Sequence, residues 1–360
     1  MTDRTPRQAR PAALPTPRGP LSTTVLTHLR HPETLHPRPL PEEELATADP
    51  YGEDLHLALY TCYELHYRGF PGIDPDLEWN PALLHLRATL EDRFLTALRA
   101  DAPAHKTLAD ALEDLLVEPV DTPGAPTATG VSHFLRDEGT REHLREYAAH
   151  RSLYHLKEAD PHAWVLPRLH GRPKAAMAAV EFDEYGGGRP DRVHAQLFAD
   201  LMTDLGLDTG YGHYLDDTCA EMLANVNLMS LFGLHRALRG ALVGHFADVE
   251  ITSSPGSRRL AEAMRRAGAG PAAQFFYDEH VEADAVHEQI VRRDVIGGLL
   301  EQEPELEDDI TFGIDATEYL EGRFGDRLLA AWRAGRSSLR TPLPPAAGVP
   351  VPRTSARQDI

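Results

Sequence analysis

Phe275-Phe276-Tyr277-Asp278-Glu279-His280-Val281-Glu282-Ala283-Asp284-Ala285-Val286-His287-Glu288-Gln289-Ile290-Val291 is the most informative stretch of the chain. At about 100° per residue, His280, Asp284 and His287 fall at about 0°, +40° and −20°, a single narrow stripe. Phe276 and Val291 share that stripe and Ala283 flanks it. Asp278, Glu282, Gln289, Arg292 and Arg293 occupy the opposite side. The spacing predicts an amphipathic helix with an ordinary solvated face and an inward face carrying two imidazoles and a carboxylate. Three polar groups aimed at a core cost several kcal/mol unless they are paired or hold a metal. One buried histidine is commonly a satisfied core residue; two with an aspartate on one apolar face favour a metal. Imidazole and carboxylate without thiolate suit Fe, Mn or Zn.

Nearly everything after residue 42 also reads as helix. The periodicity predicts helices at about 53–67, 80–100, 105–117, 132–138, 140–159, 171–184, 190–205, 214–250, 257–267, 271–301 and 314–334. Arg68-Gly69-Phe70-Pro71-Gly72 stops the first of these, and Asn80-Pro81 opens the second. No β-branched run alternates with period two for more than a few residues, so the fold class is all-α. The 214–250 segment is apolar nearly all round through Met222, Leu223, Val226, Leu228, Met229, Leu231, Phe232 and Leu234, as a central helix should be. Ten of the 29 prolines fall in residues 1–50 and five more in 342–360. The domain reading follows: a Pro-rich, mostly disordered tail over 1–41, accessory helices over 42–120, a core over 131–335 and a disordered tail over 340–360. Residues 1–22 and 342–360 are expected to be dispensable for folding.

A bundle that holds two metals draws further carboxylates from facing helices. Candidates stand in Ala179-Val180-Glu181-Phe182-Asp183-Glu184-Tyr185-Gly186-Gly187-Gly188-Arg189-Pro190-Asp191-Arg192-Val193-His194. Three glycines end one helix and Pro190 is placed to open the next. The break lets Glu184 and His194 face a common point, whereas a continuous helix would set them about 80° apart. Glu158 shares a stripe with Leu144, Ala148 and His155 and is unremarked by itself. Glu33-x-x-His36, Glu53-x-x-His56 and Asp191-x-x-His194 repeat a carboxylate-x-x-His spacing that is weak evidence when alone.

Composition bounds the function. Net charge is −20, with three lysines (Lys106, Lys157, Lys174) among 36 basic residues, which disfavours nucleic acid or an anionic membrane as partner. Two cysteines, Cys62 and Cys219, make neither a disulfide scaffold nor a four-thiolate site. The first 22 residues lack a signal-peptide apolar stretch, and no run of 18 apolar residues occurs. The expected location is cytoplasmic.

Taken together, EFDEYGGGRPDRVHAQLF, FFYDEHVEADAVHEQ and NLMSLFGLHRALRGALVGHF resemble the haem-oxygenase-like diiron oxidases, the bacterial iron-containing redox enzymes. The resemblance covers about 130–335. It implies a seven-helix haem-oxygenase-like bundle without porphyrin, with the earlier helices as an accessory layer. It implies six metal ligands, Glu158, Glu184, His194, His280, Asp284 and His287, holding two Fe2+ ions. Glu158, His194 and His287 are expected nearer one iron, and Glu184, His280 and Asp284 nearer the other. The implied activity is an O2-dependent oxidoreductase of secondary metabolism, with O2 as co-substrate and a small metabolite as substrate. N-oxygenation, desaturation and C–C cleavage all occur on such a centre, so the ligands do not choose the reaction. His155, Tyr185, Arg189, Asn225 and Glu250 are candidates to hydrogen-bond the ligands. A homodimer and an external electron donor are the other expected partners.

Two other classes compete. A metal-independent haem-oxygenase-like protein would bind a cofactor or hydrolyse a thiamin-type molecule, with a nucleophilic cysteine. A ferritin-like protein would show two Glu-x-x-His elements; here there is one Asp284-x-x-His287 extended by His280.

Overall fold

Capping residues and prolines divide the described part of this chain into helices. The computed structural model describes residues 11–34, 42–117 and 130–345, less the side chains of 34, 42–43 and 282–286; among the described residues there is no strand. The N-terminal part comprises α1 (Pro20–Arg30), α2 (Glu42–Thr47), α3 (Glu53–Glu64), α4 (Pro81–Asp101) and α5 (Leu108–Leu115). The remainder comprises α6 (Val131–Asp137), α7 (Arg141–His155), α8 (Asp160–Ala163), α9 (Gly171–Glu184), α10 (His194–Asp204), α11 (Ala220–Leu234), α12 (Arg239–Arg266), α13 (Pro271–Ile290), α14 (Gly297–Gln302) and α15 (Glu307–Arg333). No helix among the described residues is long and apolar enough to cross a membrane.

The central layer is α11 and α12. In α11, every residue from Met222 to Gly233 is buried, as its all-round apolar sequence predicts. Phe232 is fully buried there, so Phe232→Ala would cost about 3–5 kcal/mol. Glycine sets the approach of α12 to α15: a Cβ on Gly244 would lie 1.9 Å from the Ile310 carbonyl oxygen, and one on Gly313 2.1 Å from that of Ala241. The two backbones therefore touch, and α13 packs along another face of α12. The start of α13 is anchored from α10, because Asp204 Oδ2 accepts the Ala272 and Ala273 N–H groups at 2.8 and 3.1 Å. A carboxylate there satisfies open donors and suits the positive end of the helix dipole. The same helix carries His280 and His287.

Several expectations need correction. The expected 214–250 helix is two helices. His235 leaves helical geometry (φ −102°, ψ 114°), and the chain restarts at Arg239 after a 3-10 turn over Arg236–Leu238. α12 then runs through Pro255 to Arg266, where the sequence placed a break. A proline removes one hydrogen bond, and tertiary packing of Ile251, Ser257, Leu260 and Ala261 outweighs that loss. The expected 140–159 helix ends at His155, and Glu158 lies in the turn that follows. Past Ile290 the expected 271–301 helix widens into a π segment, Val291–Ile296, before α14.

The tails are also better ordered than their prolines suggest. In the expected disordered 1–41 segment, α1 buries Leu21, Val25, Leu26 and Leu29. The Leu21 and Ser22 N–H groups donate to Asp54 at 2.9 and 2.8 Å, and Arg18 Nη2 donates to the Leu215 carbonyl at 2.7 Å. At the other end, the Arg340 N–H donates to the Asp217 carbonyl at 2.7 Å, and Pro344 O accepts from Arg145 Nη1 at 2.9 Å. Proline stiffens such segments as well as excluding them from helices, which lowers the entropy lost on docking. Residues 1–10 and 346–360 lie outside the described residues.

Candidate metal centre

Five elements converge on one buried pole of the bundle. The turn after α7 supplies Glu158, the last residue of α9 is Glu184, and the first of α10 is His194. α12 supplies Glu250, and α13 supplies His280 and His287. Local backbone geometry does much of the placing. Ala159 adopts φ 74°, the only non-glycine residue with positive φ among the described residues, so the chain reverses immediately after Glu158. That conformation costs about 1–3 kcal/mol and is held by its surroundings. Between α9 and α10, Gly186 sits at φ +72° with its Cα against the chain that returns. A Cβ there would lie 2.6 Å from both Arg192 C and Val193 N. Only glycine permits this close return, which sets Glu184 Oε2 2.7 Å from His194 Nδ1.

Two donor groups result. Glu158, Glu184, His194 and His280 each offer one ligand atom within 4.8 Å of the others, and Glu184, Glu250 and His287 form a second such group. All six residues are buried. Glu184 belongs to both groups, as a bridging carboxylate would. His280 Nδ1–H donates to the Phe276 carbonyl at 2.7 Å, which turns Nε2 toward Glu158 Oε1 at 3.8 Å. His287 Nδ1 lies 3.1 Å from Glu250 Oε2 and 4.0 Å from Glu184 Oε1. His155 Nδ1 meets Glu158 Oε1 at 2.7 Å, leaving Glu158 Oε2 buried with no hydrogen-bond partner.

The electrostatics fit a cation. Burial by itself would raise the Glu158 carboxyl, but His155 and then His280 outweigh it and hold it well below the usual carboxylate range. Burial would lower His287; the hydrogen bond and charge of Glu250, with Glu184 and Asp183, push it up to about 9. His194 is likewise raised against burial by Glu184. Protons on imidazoles thus balance carboxylates that a divalent ion would balance instead, and ligation would release those protons. The orphaned Glu158 oxygen and the all-oxygen-and-imidazole donor set both suit iron.

The structure brings together Glu158, Glu184, His194, His280 and His287; the side chain of Asp284 lies outside the described residues. Their grouping differs from the expected division, since His280 sits with Glu158 and His194, and His287 sits apart from them with Glu250. Glu250 was expected only to support the ligands, yet it offers an oxygen to the second donor group itself. Its signal was faint: it is one of two carboxylates, with Asp248, near the end of a largely apolar run. Glu181 was missed altogether. It is buried one turn before Glu184 with neither oxygen hydrogen-bonded, and burial with Glu184 and Glu250 pushes its carboxyl up to about 9. Of the other supporting candidates, Tyr185 donates to Asp160 at 3.1 Å, Asn225 donates to the Glu221 and Leu320 carbonyls, and Arg189 is exposed.

The centre opens on a cavity of about 520 Å3 whose walls include Glu158, Glu184, Glu250 and His280. Met229, Phe246, Leu260, Phe276 and Phe324 give it an apolar body, and Tyr154 stands beside the carboxylates. Asp248 also lines it and is buried, and its carboxyl is pushed well above the ordinary value by burial, with Glu318 and Glu321 adding. Away from this cavity, Glu53 pairs with Arg340 while His56 lies in the core against Asn227, so that carboxylate-x-x-His spacing makes no site. Both cysteines are buried, with thiols pushed up to about 12 by burial, which is the opposite of what a nucleophile needs.

Residues 145–322 match the model of a family described as iron-containing redox enzyme. A search of curated proteins found no match. The matched span contains every member of both donor groups. Over residues 145–322, the chain is similar to the haem-oxygenase-like family of iron-containing redox enzymes.

Proposed function

We propose that the protein is a non-haem diiron oxidase or oxygenase that uses O2 to oxidise a small metabolite held in the cavity beside the centre. The observation that supports this best is Glu184, one buried carboxylate common to two donor groups on the wall of a ligand-sized cavity. Glu158, Glu184, His194 and His280 would hold one ion, and Glu184, Glu250 and His287 the other, with Asp284 a further ligand by resemblance. When bound, a pair of ferrous ions supplies the electrons that reduce O2, and so the power to remove hydrogen from a substrate or add oxygen to it.

The chain's own residues supply position and dryness. The Phe276 carbonyl fixes the His280 tautomer, and His155 holds Glu158 at one oxygen so that the other is presented. Phe246, Phe276 and Met229 keep the cavity apolar around the reacting region, which limits water. Substrate shape and pose then select among N-oxygenation, desaturation and C–C cleavage.

The test is anaerobic loading with Fe2+, removal of loose metal, and measurement of retained iron and of O2 uptake. About two irons per chain and O2 uptake that a substrate accelerates are expected. A chain that retains no iron, or takes up no O2 after loading, rules the proposal out.

A further inference from the structure

The cavity is lined by a second set of polar groups besides the two donor groups. His245 Nδ1 lies 2.9 Å from Thr317 Oγ1, and the Thr317 hydroxyl donates to the Gly313 carbonyl at 2.7 Å. With its proton spent there, Thr317 can only accept from His245. The proton of His245 is therefore on Nδ1, and Nε2 carries a bare lone pair. That Nε2 is buried and has no hydrogen-bond partner. One turn further along α12, Asp248 is 6 % exposed and its Oδ2 also has no partner. His162 Nε2, on a ring 5.2 Å from that of His245, is a third such atom. All three residues line the cavity. Two acceptors left bare on one face, at i and i+3, are costly unless something donates to them.

The charges among these groups point the same way. Arg151 binds Glu321 through both oxygens at 2.7 and 2.6 Å, so that carboxylate is neutralised within the protein. Asp248 has no such cation, and Glu318 lines the same cavity. An alcohol brings one donor and no charge, and a carboxylate would be repelled. A primary ammonium brings a positive charge and three donors, which matches the bare acceptors.

We infer that the substrate of the proposed oxidation is an amine, its ammonium group held by Asp248 and His245 while its apolar body lies along Phe246, Leu260 and Phe276 toward the metal centre. This rests on the diiron proposal for the reaction, but the amine subsite is separable from it because none of its residues belongs to either donor group.

The full-length protein, metal-free and again after Fe2+ loading, is titrated calorimetrically with n-hexylamine, hexanoate and 1-hexanol. Hexylamine should bind at least about tenfold tighter than hexanol, with hexanoate weaker than either, in both forms. Asp248→Asn should weaken hexylamine by about tenfold and leave hexanol unchanged, and Glu262→Gln, exposed on the same helix, should change nothing. Equal binding of the three probes, a preference for hexanoate, or an Asp248→Asn protein that binds hexylamine unchanged overturns the inference. Selectivity in the unaltered protein decides the matter even where a variant does not fold. Hexylamine selectivity in a chain that retains no iron would keep the subsite and sink the diiron proposal; iron retention without selectivity would do the reverse.

Discussion

Glu184 is the residue on which the two donor groups depend, and Glu250 serves only one of them. Glu184→Ala is therefore expected to abolish retention of both irons, whereas Glu250→Ala should leave about one per chain. Metal analysis after anaerobic loading separates these outcomes, and equal loss in the two variants would mean that Glu184 is not shared. Away from the centre, His105 ties the loop before α5 to α15 through Asp315 on one ring nitrogen and Asp114 on the other, the latter at 3.1 Å. Its imidazole is raised above the ordinary value of 6.5, by the Asp315 hydrogen bond first and then by Asp114. A group raised on folding adds stability that is complete below the unfolded value and is lost as pH climbs through the folded one. His105→Gln should thus cost about 1 kcal/mol or less at pH 5.5 and close to nothing at pH 9.5, since Asp114 is exposed and screens the pair. Urea unfolding of the metal-free proteins at the two pH values checks it, and a cost that grows with pH would contradict it.

Among the elements, the α9–α10 break shows how a turn positions chemistry. Gly186 and Gly188 both have positive φ, but only Gly186 meets backbone closely; the nearest atom to a Cβ on Gly188 is Phe182 Cε2 at 3.9 Å. Alanine at Gly188 faces the conformational cost alone, about 1 kcal/mol. At Gly186 it adds a clash that must push His194 from Glu184. Gly186→Ala is expected to lose about 2 kcal/mol more than Gly188→Ala and to retain less iron. Thermal unfolding of both variants, with iron retention alongside, tests the difference. Three glycines before a proline were legible as a break from composition. Which of the three the geometry needs was not, because that depends on a chain segment six residues later folding back.

The whole molecule depends on α1 more than its Pro-rich surroundings suggest. Leu21, Val25, Leu26 and Leu29 are each buried to within 2 % of completely. Each fully buried aliphatic side chain contributes roughly 1.5–3 kcal/mol before the entropy of ordering the helix is subtracted. Deletion of residues 1–30 should therefore lower the melting temperature by about 5 °C or more. An unchanged melting temperature would show that α1 adds nothing net. The amine subsite belongs to this level too, since His245 and Thr317 come from helices about 70 residues apart in sequence.

Local pattern was enough for the features that repeat along one helix. The shared face of His280 and His287 and the apolar circumference of α11 follow from side-chain order, because a helix fixes which residues share a face whatever packs against it. The same holds for the helix stops at Gly69 and Gly186, where backbone preference acts locally. Tertiary structure decided everything that needed two segments to meet. Glu250 joins the candidate donors because α12 packs along α13, and the two donor groups divide as they do because Glu184 lies between His194 and His287. α1 is ordered because Asp54 caps it from α3. Burial and pairing are properties of a neighbour's position, and a single helical sequence carries its own face but not the face opposite.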